Sequence, residues 1–123
     1  MPFDNPHQTP FGDLELLADA RNRISDLNKW TKGRFKDGDH RYCLVASLSL
    51  ACASHSFYMP NRTERRLAGM LAKHIPPSEP FWMKVRFLTA RRRLMSFNDD
   101  PRTCHADVMT LFDRTSSDLA RPN

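Results

Sequence analysis

The feature that most constrains the fold of this chain is a segment of small and apolar residues, 42–48, which reads Tyr-Cys-Leu-Val-Ala-Ser-Leu. In and after this segment, five small or apolar side chains form one helical stripe: Cys43, Ala46, Ser47, Leu50 and Ala51. Because small side chains let a neighbouring backbone come close, we predict that this helix is central to the fold. Asp39 is an acceptable N-cap, and the helix is predicted to run from there to about Phe57.

A first helix is predicted upstream of this segment, over residues 10–27. Thr9 suits its N-cap and Pro10 its first position, and a start at Asp13 is the alternative. Residues at helical spacing predict its apolar side: Leu14, Leu17, Ala18, Ile24 and Leu27.

Capping signals predict two further helices downstream. Asn61 and Glu64 have the spacing of a capping box and predict the start of a third helix. A turn at residues 98–101 precedes a fifth helix, which Thr103 is expected to cap and which is predicted to end near Thr115.

The fourth helix is predicted over residues 79–96, and its apolar residues fall into two stripes. One stripe comprises Phe81, Val85, Leu88 and Met95, and the other comprises Met83, Phe87 and Leu94. A helix that is apolar on two sides is expected to lie between two neighbours. Arg92 falls inside the first stripe, so we expect its charged end to reach solvent or an acid.

These elements predict an all-α fold: a compact single-domain bundle of about five helices, with the second and fourth central. The predicted domain spans residues 9–117, between an N-terminal extension of residues 1–8 and a tail of residues 118–123. Residues 28–40 form a basic loop between the first two helices, and a minor hairpin is compatible with it. Only four glycines and few β-branched runs argue against a sandwich or barrel.

Composition predicts a cytoplasmic protein. No stretch approaches the roughly 18 consecutive apolar residues of a membrane span, so no membrane contact is expected, and the first residues do not form a secretory signal. Three cysteines, Cys43, Cys52 and Cys104, make an odd number without framework spacing. We therefore expect reduced thiols.

The net charge of +5 is unevenly distributed along the chain. Residues 29–93 contain fourteen Lys or Arg against four acidic residues, whereas acidic residues are in excess in both flanking segments. Such a distribution fits a surface for nucleic acid or for an acidic protein. It equally fits a solvated face whose charges pair with the acidic ends of the chain after folding.

The basic loop has the composition of a contact for single-stranded nucleic acid, because its rings could stack on bases while its cations neutralise phosphates. Together with the arginines that follow, the predicted binding residues are Trp30, Lys32, Arg34, Lys36, Arg62, Arg65 and Arg66. The alternative is that Trp30 and Phe35 are large apolar residues that a small domain packs beneath a loop.

A second cluster of polar residues lies around the predicted start of the fifth helix. Its members are Asn98, Asp99, Arg102, Thr103 and His105. One interpretation is a divalent-cation or general-base site. The other is structural, with Asp99 or Thr103 as the cap of the helix. In that case Asn98 ties the turn to its neighbours and Arg102 pairs with an acid.

No motif in the chain requires a cofactor or a metal, and we predict neither. His40 with Cys43, and Cys52 with His55, each have the spacing of half a zinc site. On one continuous helix, however, the two cysteines lie on opposite faces and roughly 13 Å apart along the axis. We therefore interpret both as thiols of the core.

Several of these motifs together resemble a known family. In order, they are Thr9-Pro10, Trp30 and Gly33, Asp37-Gly38, the small-residue helix, Phe97-Asn98-Asp99, Arg102-Thr103, Asp107-Val108 and Leu111-Phe112-Asp113. Over about residues 9–115, their order and spacing are similar to a bacterial and phage family catalogued as domain of unknown function 6197. Ala46 stands where that family usually has glycine, and Phe97 where it usually has tryptophan. The resemblance implies an intracellular, mostly helical protein and supplies no activity, cofactor or catalytic residue.

We therefore interpret the chain as a binding or regulatory module that uses a basic face to contact nucleic acid or an acidic protein partner. The alternative is a small metal-dependent or hydrolytic enzyme centred on the turn from Asn98 to Arg102. A third interpretation is a homodimeric interaction protein whose shared face includes Phe57, Tyr58 and Trp82. The sequence leaves a monomer and a homodimer equally open.

Overall fold

The computed structural model describes residues 12–33, 38, 40–55, 60–76 and 89–121. Five α-helices make up most of this part: α1 Asp13–Arg23, α2 Leu44–His55, α3 Pro60–Ala72, α4 Ala90–Asp99 and α5 His105–Ala120. A short 3-10 helix, Leu27–Lys29, follows α1. The described residues contain no strand. The predicted all-α bundle of about five helices is therefore confirmed.

Buried apolar residues from all five helices form one core, and α2 lies at its centre as predicted. The helices α1, α3 and α4 all pack against α2. Accordingly, buried residues lie on almost every side of it: Leu44, Val45, Ala46, Ser47, Leu48, Ala51 and Cys52. The helix begins later than predicted: His40 has a φ of 61°, which an α-helix does not contain, and Tyr42 is bridged to Trp30. Within the described ranges, no helix combines the length and hydropathy needed to cross a membrane.

α1 begins at Asp13, the alternative start that the sequence left open. Gly12 occupies its N-cap, and the Oε1 atom of Glu15 accepts a hydrogen bond of 2.9 Å from the backbone N–H of Gly12. The residues that α1 and the turn after it bury are Leu16, Leu17, Ala20 and Ile24. Three residues that were predicted on the apolar side are exposed instead: Leu14, Ala18 and Leu27. Leu14 and Ala18 are exposed because α1 packs through the side that carries Leu16, Leu17 and Ala20, and Leu27 lies beyond α1, in the short 3-10 helix.

The predicted fourth helix, residues 79–96, does not run unbroken to its end. Thr89 has an extended backbone, with φ −65° and ψ 160°, and its Oγ1 atom caps α4 by accepting a hydrogen bond of 3.2 Å from Arg92 N. A capping residue lies outside the helix that it caps, so no single helix passes through Thr89. At its other end α4 continues to Asp99, through residues that were predicted as a turn.

The predicted sandwiching of this helix rests mainly on residues 81–88, which lie outside the described residues. In α4 itself, Leu94 is buried, whereas Met95 and Arg92 are exposed. The described part of α4 therefore buries one side, against α2 and α3. Arg92 is exposed, so its charged end reaches solvent, as expected, while three of the four apolar residues of its predicted stripe lie outside the described residues.

Two other helix boundaries differ from those that the sequence predicted. α3 begins at Pro60, so Asn61 lies in its first turn and does not cap it. Proline at the first helical position costs no hydrogen bond, which explains the earlier start. α5 continues to Ala120, past the predicted end near Thr115, and Leu119 packs against the core.

Near the two ends of the segment between α1 and α2, Trp30 and Tyr42 form an isolated parallel β-bridge. The backbone N–H of Thr31 donates to Tyr42 O at 3.1 Å, and that of Tyr42 donates to Lys29 O at 2.8 Å. A hairpin pairs antiparallel strands, so the described part of this segment does not contain the minor hairpin. Asp37 of the Asp37-Gly38 motif lies outside the described residues.

Candidate functional site

The two clusters that the sequence analysis treated separately meet in the fold. Trp30 and Lys32 of the basic loop are hydrogen-bonded to Asn98 and Asp100, which lie 68 positions further along the chain. The α1–α2 segment therefore packs directly on the end of α4 and on the turn that follows it. We call this junction the polar junction, and its residues are Trp30, Lys32, Gly33, Asn98, Asp99, Asp100, Arg102 and His105.

Asn98 is the buried centre of the polar junction, with no exposed surface. Its Oδ1 atom accepts hydrogen bonds from Trp30 Nε1 at 2.7 Å and from the backbone N–H of Leu44 at 3.2 Å. Its Nδ2 atom donates to Thr31 O at 3.1 Å and to Asp99 Oδ1 at 3.0 Å. The amide is thus satisfied by protein groups, as the structural interpretation of Asn98 predicted.

Asp99 and Lys32 extend the polar junction towards solvent. Asp99 Oδ1 accepts a hydrogen bond of 2.7 Å from the backbone N–H of Gly33, whose φ of 72° suits glycine. The Lys32 ammonium donates to Asp100 O at 2.7 Å and lies 5.6 Å from the centroid of the Trp30 ring. These contacts anchor the described start of the basic loop to α4.

Arg102 pairs with an acid, as predicted, and that acid is Asp100. Nη2 of Arg102 lies 2.9 Å from Asp100 Oδ2, and both Nε and the backbone N–H of Arg102 donate to Asp100 Oδ1, at 3.1 and 2.8 Å. The guanidinium hydrogen bonds, and then the backbone one, lower the pKa of Asp100 to about 2. Asp100 is therefore an anion at neutral pH and cannot act there as a general acid.

The cap of α5 is Cys104, so the predictions that Thr103 or Asp99 caps this helix were wrong. The backbone N–H of Cys104 donates to Asp107 Oδ2 at 2.9 Å, and its Sγ atom lies 3.2 Å from the same oxygen. These two hydrogen bonds, the backbone one first, lower the pKa of Asp107. Thr103 is buried and its N–H donates to Asp100 O at 2.9 Å, which places it before the helix instead.

His105 joins the start of α5 to the end of α1. Its Nε2 atom lies 2.7 Å from the carbonyl oxygen of Ile24, and its ring centroid lies 5.6 Å from that of Trp30. Both contacts are made within the protein. The side chain is partly buried, which leaves it little surface for a substrate.

In the two grooves that described residues line, the predicted polar cluster does not converge on one cavity. An open groove of about 1040 Å³ runs beside α4, and Asp99 and Arg102 line it together with Arg91 and Arg92. Asn98, Thr103 and His105 do not line this groove. A general-base site needs its acid, base and substrate cavity together, and the described residues do not bring these members together.

The cysteines do not form a metal site with the described residues, among which no group of three or more His, Cys, Asp or Glu side chains could hold an ion. Cys43 and Cys52 are buried, and burial raises the pKa of both thiols, that of Cys52 to about 11. His55 Nε2 lies 3.2 Å from Asp19 Oδ2, so it faces α1. The two thiols therefore belong to the core, as predicted, although Cys43 lies just before α2 and not within it.

The described residues among those predicted to bind lie in two separate places, on α3 and in the polar junction. Arg34 and Lys36 lie outside the described residues. Arg62 and Arg65 are exposed on α3, while Nη1 of Arg66 donates to Asp13 Oδ2 at 2.6 Å. Trp30 and Lys32, by contrast, belong to the polar junction, where they are hydrogen-bonded to Asn98 and Asp100.

Sequence reasoning missed the partner of Glu64. Its Oε2 atom lies 3.6 Å from Nη1 of Arg91 on α4, and its side chain is only 12% exposed. The capping-box interpretation directed this carboxylate back along its own helix, towards Asn61. Spacing within one helix carries no information about a neighbouring helix, so no signal in the sequence indicated this ion pair.

Comparison with known proteins places the chain in a family but gives no activity. No curated protein and no solved structure matches it. The model of a family of unknown function, DUF6197, matches residues 9–118. This range contains α1 to α4 and all but the last two residues of α5. The chain therefore belongs to the family of unknown function DUF6197.

Proposed function

We propose that this protein is a binding module that contacts nucleic acid through the outward side of α3. We name this surface the basic face, and it consists of Arg62, Arg65, Arg66 and Lys73. All four residues are exposed, and Lys73 directly follows the last residue of α3. The proposal is carried by one observation: Glu64, the one acid of α3, is directed away from this face and lies against Arg91.

The described acids next to the basic face leave it positive. Asp13 compensates one of the four cations, since it pairs with Arg66. Arg65 has no ion pair with a described acid. Exposed arginines of this kind neutralise phosphates and release the counterions that those phosphates had condensed, and this release supplies much of the binding free energy.

The contacts of Trp30 and Lys32 favour a structural role for the start of the basic loop. Stacking on a base requires an accessible ring face and a side chain that can adjust to the base. The Trp30 indole is instead fixed by its hydrogen bond to Asn98, and the Lys32 ammonium is held by Asp100 O. We therefore assign nucleic-acid contact to α3, and fixation of the loop to Trp30 and Lys32.

The same contacts make an enzyme centred on Asn98 and Asp99 the weaker proposal. A catalytic amide or carboxylate needs a free donor or acceptor for its substrate. Asn98 uses both of its polar atoms within the protein, and Asp99 Oδ1 accepts two hydrogen bonds there. These bonds support a structural assignment for both residues.

The experiment is a titration of labelled nucleic acid, followed by fluorescence anisotropy at about 50 and 200 mM salt. Four phosphate contacts should reduce the affinity about 10²-fold across that range. We expect the double variant Arg62→Gln/Arg65→Gln to bind less tightly and to lower the slope of log K against log salt by about 2. No binding of the wild-type protein at the lower salt would refute the proposal.

The matched control is the double variant Arg114→Gln/Arg121→Gln, which removes the same net charge from exposed positions of α5 and the residue after it. We expect it to keep most of the affinity. Equal losses in both double variants would attribute binding to net charge alone and reject the basic face. Binding of polyglutamate in place of nucleic acid would indicate an acidic protein partner and would also contradict the proposal.

A further inference from the structure

Gly69 lies near the middle of the outward side of α3, within the basic face. Glycine is among the least favourable residues in the interior of a helix, because it loses the most conformational freedom on folding. A glycine is usually required where φ is positive. Gly69, however, lies within the regular helix Pro60–Ala72, and the described glycine with positive φ is Gly33. The backbone of α3 therefore does not explain this glycine.

Packing within the protein does not explain Gly69 either. A Cβ atom built at this position meets no atom of the described residues within 4 Å. An alanine would fit there without displacing a neighbour and would favour the helix. Since the described residues give no reason for a glycine here, we look for one in a partner: a surface that comes close to the α3 backbone and excludes a side chain.

The cations of the basic face surround this position. At 100° per residue, Arg62 lies about 20° from Gly69 around the helix, Arg65 and Lys73 about 40° and Arg66 about 60°. From Arg62 to Lys73 they extend over roughly 16 Å of the helix axis. A partner that contacts Gly69 is thus flanked by cations along and across the helix.

We propose, on the basis of the proposed function, that Gly69 is the point of closest approach between α3 and double-stranded DNA. In this arrangement α3 lies in the major groove, whose width of about 12 Å admits an α-helix. Gly69 allows the helix backbone to come near the base edges. The surrounding arginines and Lys73 contact the phosphates on either side of the groove.

Duplex DNA fits this surface better than the other nucleic acids. The described residues offer no exposed aromatic ring on which single-stranded bases would stack, since Trp30, Tyr42 and Phe97 are all partly buried against the core. Duplex RNA has a deep and narrow major groove that protein elements do not enter. The wide major groove of B-form DNA can admit α3, with Gly69 towards the base edges and the surrounding cations towards the phosphates.

Gly69→Leu tests this inference, with Gly69→Ala as the intermediate variant. We expect both variants to have a Tm at or above that of the wild-type protein, since a Cβ atom at this position meets open space and both residues favour a helix more than glycine does. We expect Gly69→Leu to weaken binding of duplex DNA at least 10-fold at about 50 mM salt, and Gly69→Ala to weaken it less. Ser117→Leu, which adds similar bulk at an exposed position of α5, should bind like the wild-type protein.

The outcomes separate this inference from the proposed function. If the wild-type protein binds duplex DNA and Gly69→Leu binds it equally well, the close approach at Gly69 is refuted while the basic face stands. If single strands or duplex RNA bind more tightly than duplex DNA, the assignment to the major groove is overturned. If the wild-type protein binds no nucleic acid, the proposed function fails and the inference fails with it.

Discussion

Asn98 illustrates how one residue can join three parts of a small helical protein. Burial of an amide is unfavourable unless its donors and acceptors find partners. One partner of Asn98 is the backbone N–H of Leu44, the first residue of α2, whose N–H has no acceptor within its own helix. Another is the indole N–H of Trp30. A side chain of α4 thus caps α2 and fixes the preceding loop.

We predict that Asn98→Ala lowers the free energy of unfolding by about 2–4 kcal/mol, as measured by urea denaturation. The substitution leaves the N–H groups of Trp30 and Leu44 without their acceptor and opens a space in the core. Ser96→Ala, at an exposed position of the same helix, is the control and should change stability by less than about 0.5 kcal/mol. A loss below about 1 kcal/mol for Asn98→Ala would mean that water replaces the amide at little cost.

At the level of helices, composition predicted the core better than the boundaries. The small-residue segment identified α2 as central, because a helix that three others contact has little space for long side chains. Thr89 carried no such signal. Its neighbours continue a helical apolar pattern on both sides, and neither glycine nor proline marks the break, so a cap there could not be distinguished from a residue inside a helix.

The polar junction was predictable only in part for a related reason. The roles of Asn98 in tying the turn to its neighbours and of Arg102 in pairing with an acid follow from local chemistry, since helix ends collect polar residues. The partner of Asn98 does not follow from local chemistry. Trp30 lies 68 positions away, and spacing along the chain contains no information about which distant segments pack together.

Thr89→Ala tests the break between residues 79–88 and α4, and the two interpretations predict opposite signs. If Thr89 caps α4, the variant loses the hydrogen bond from Arg92 N to Oγ1 and should lower the free energy of unfolding by about 1 kcal/mol. If Thr89 were inside a continuous helix, alanine would be the better residue and the stability would rise slightly. Thr110→Ala, at an exposed position within α5, is the matched control in which a small gain is expected.

At the level of the whole molecule, ion pairs among the described residues compensate the uneven charge of the chain only in part. Arg66 pairs with Asp13, which joins the basic middle of the chain to its acidic beginning. Arg21 pairs with Asp113 and thereby joins the two acidic segments to each other. The exposed side chains of Arg65 and Arg92 have no ion pair with a described acid. Ion pairing within the described residues therefore leaves some exposed arginines without an acidic partner among them.

The three cysteines provide a measure of the cooperativity of this fold. Cys43 and Cys52 are buried in one core formed by all five helices, whereas Cys104 is exposed at the N-cap of α5. Burial also raises the pKa of both core thiols and so suppresses their reactive thiolate form. Modification of these two thiols therefore requires the core to open.

We predict that a maleimide at about pH 8 labels Cys104 rapidly in the folded protein, whereas Cys43 and Cys52 are labelled only as the protein unfolds. Intact-mass spectrometry should give a single addition in buffer and additions at all three thiols in denaturant. Cys104→Ala is the control and should abolish the rapid addition alone.

Because both core thiols lie in or next to α2, their slow rates of labelling should rise together as the urea concentration is raised. Labelling of one core thiol at a urea concentration that leaves the other protected would contradict a single cooperative core and would indicate local opening at that end of α2.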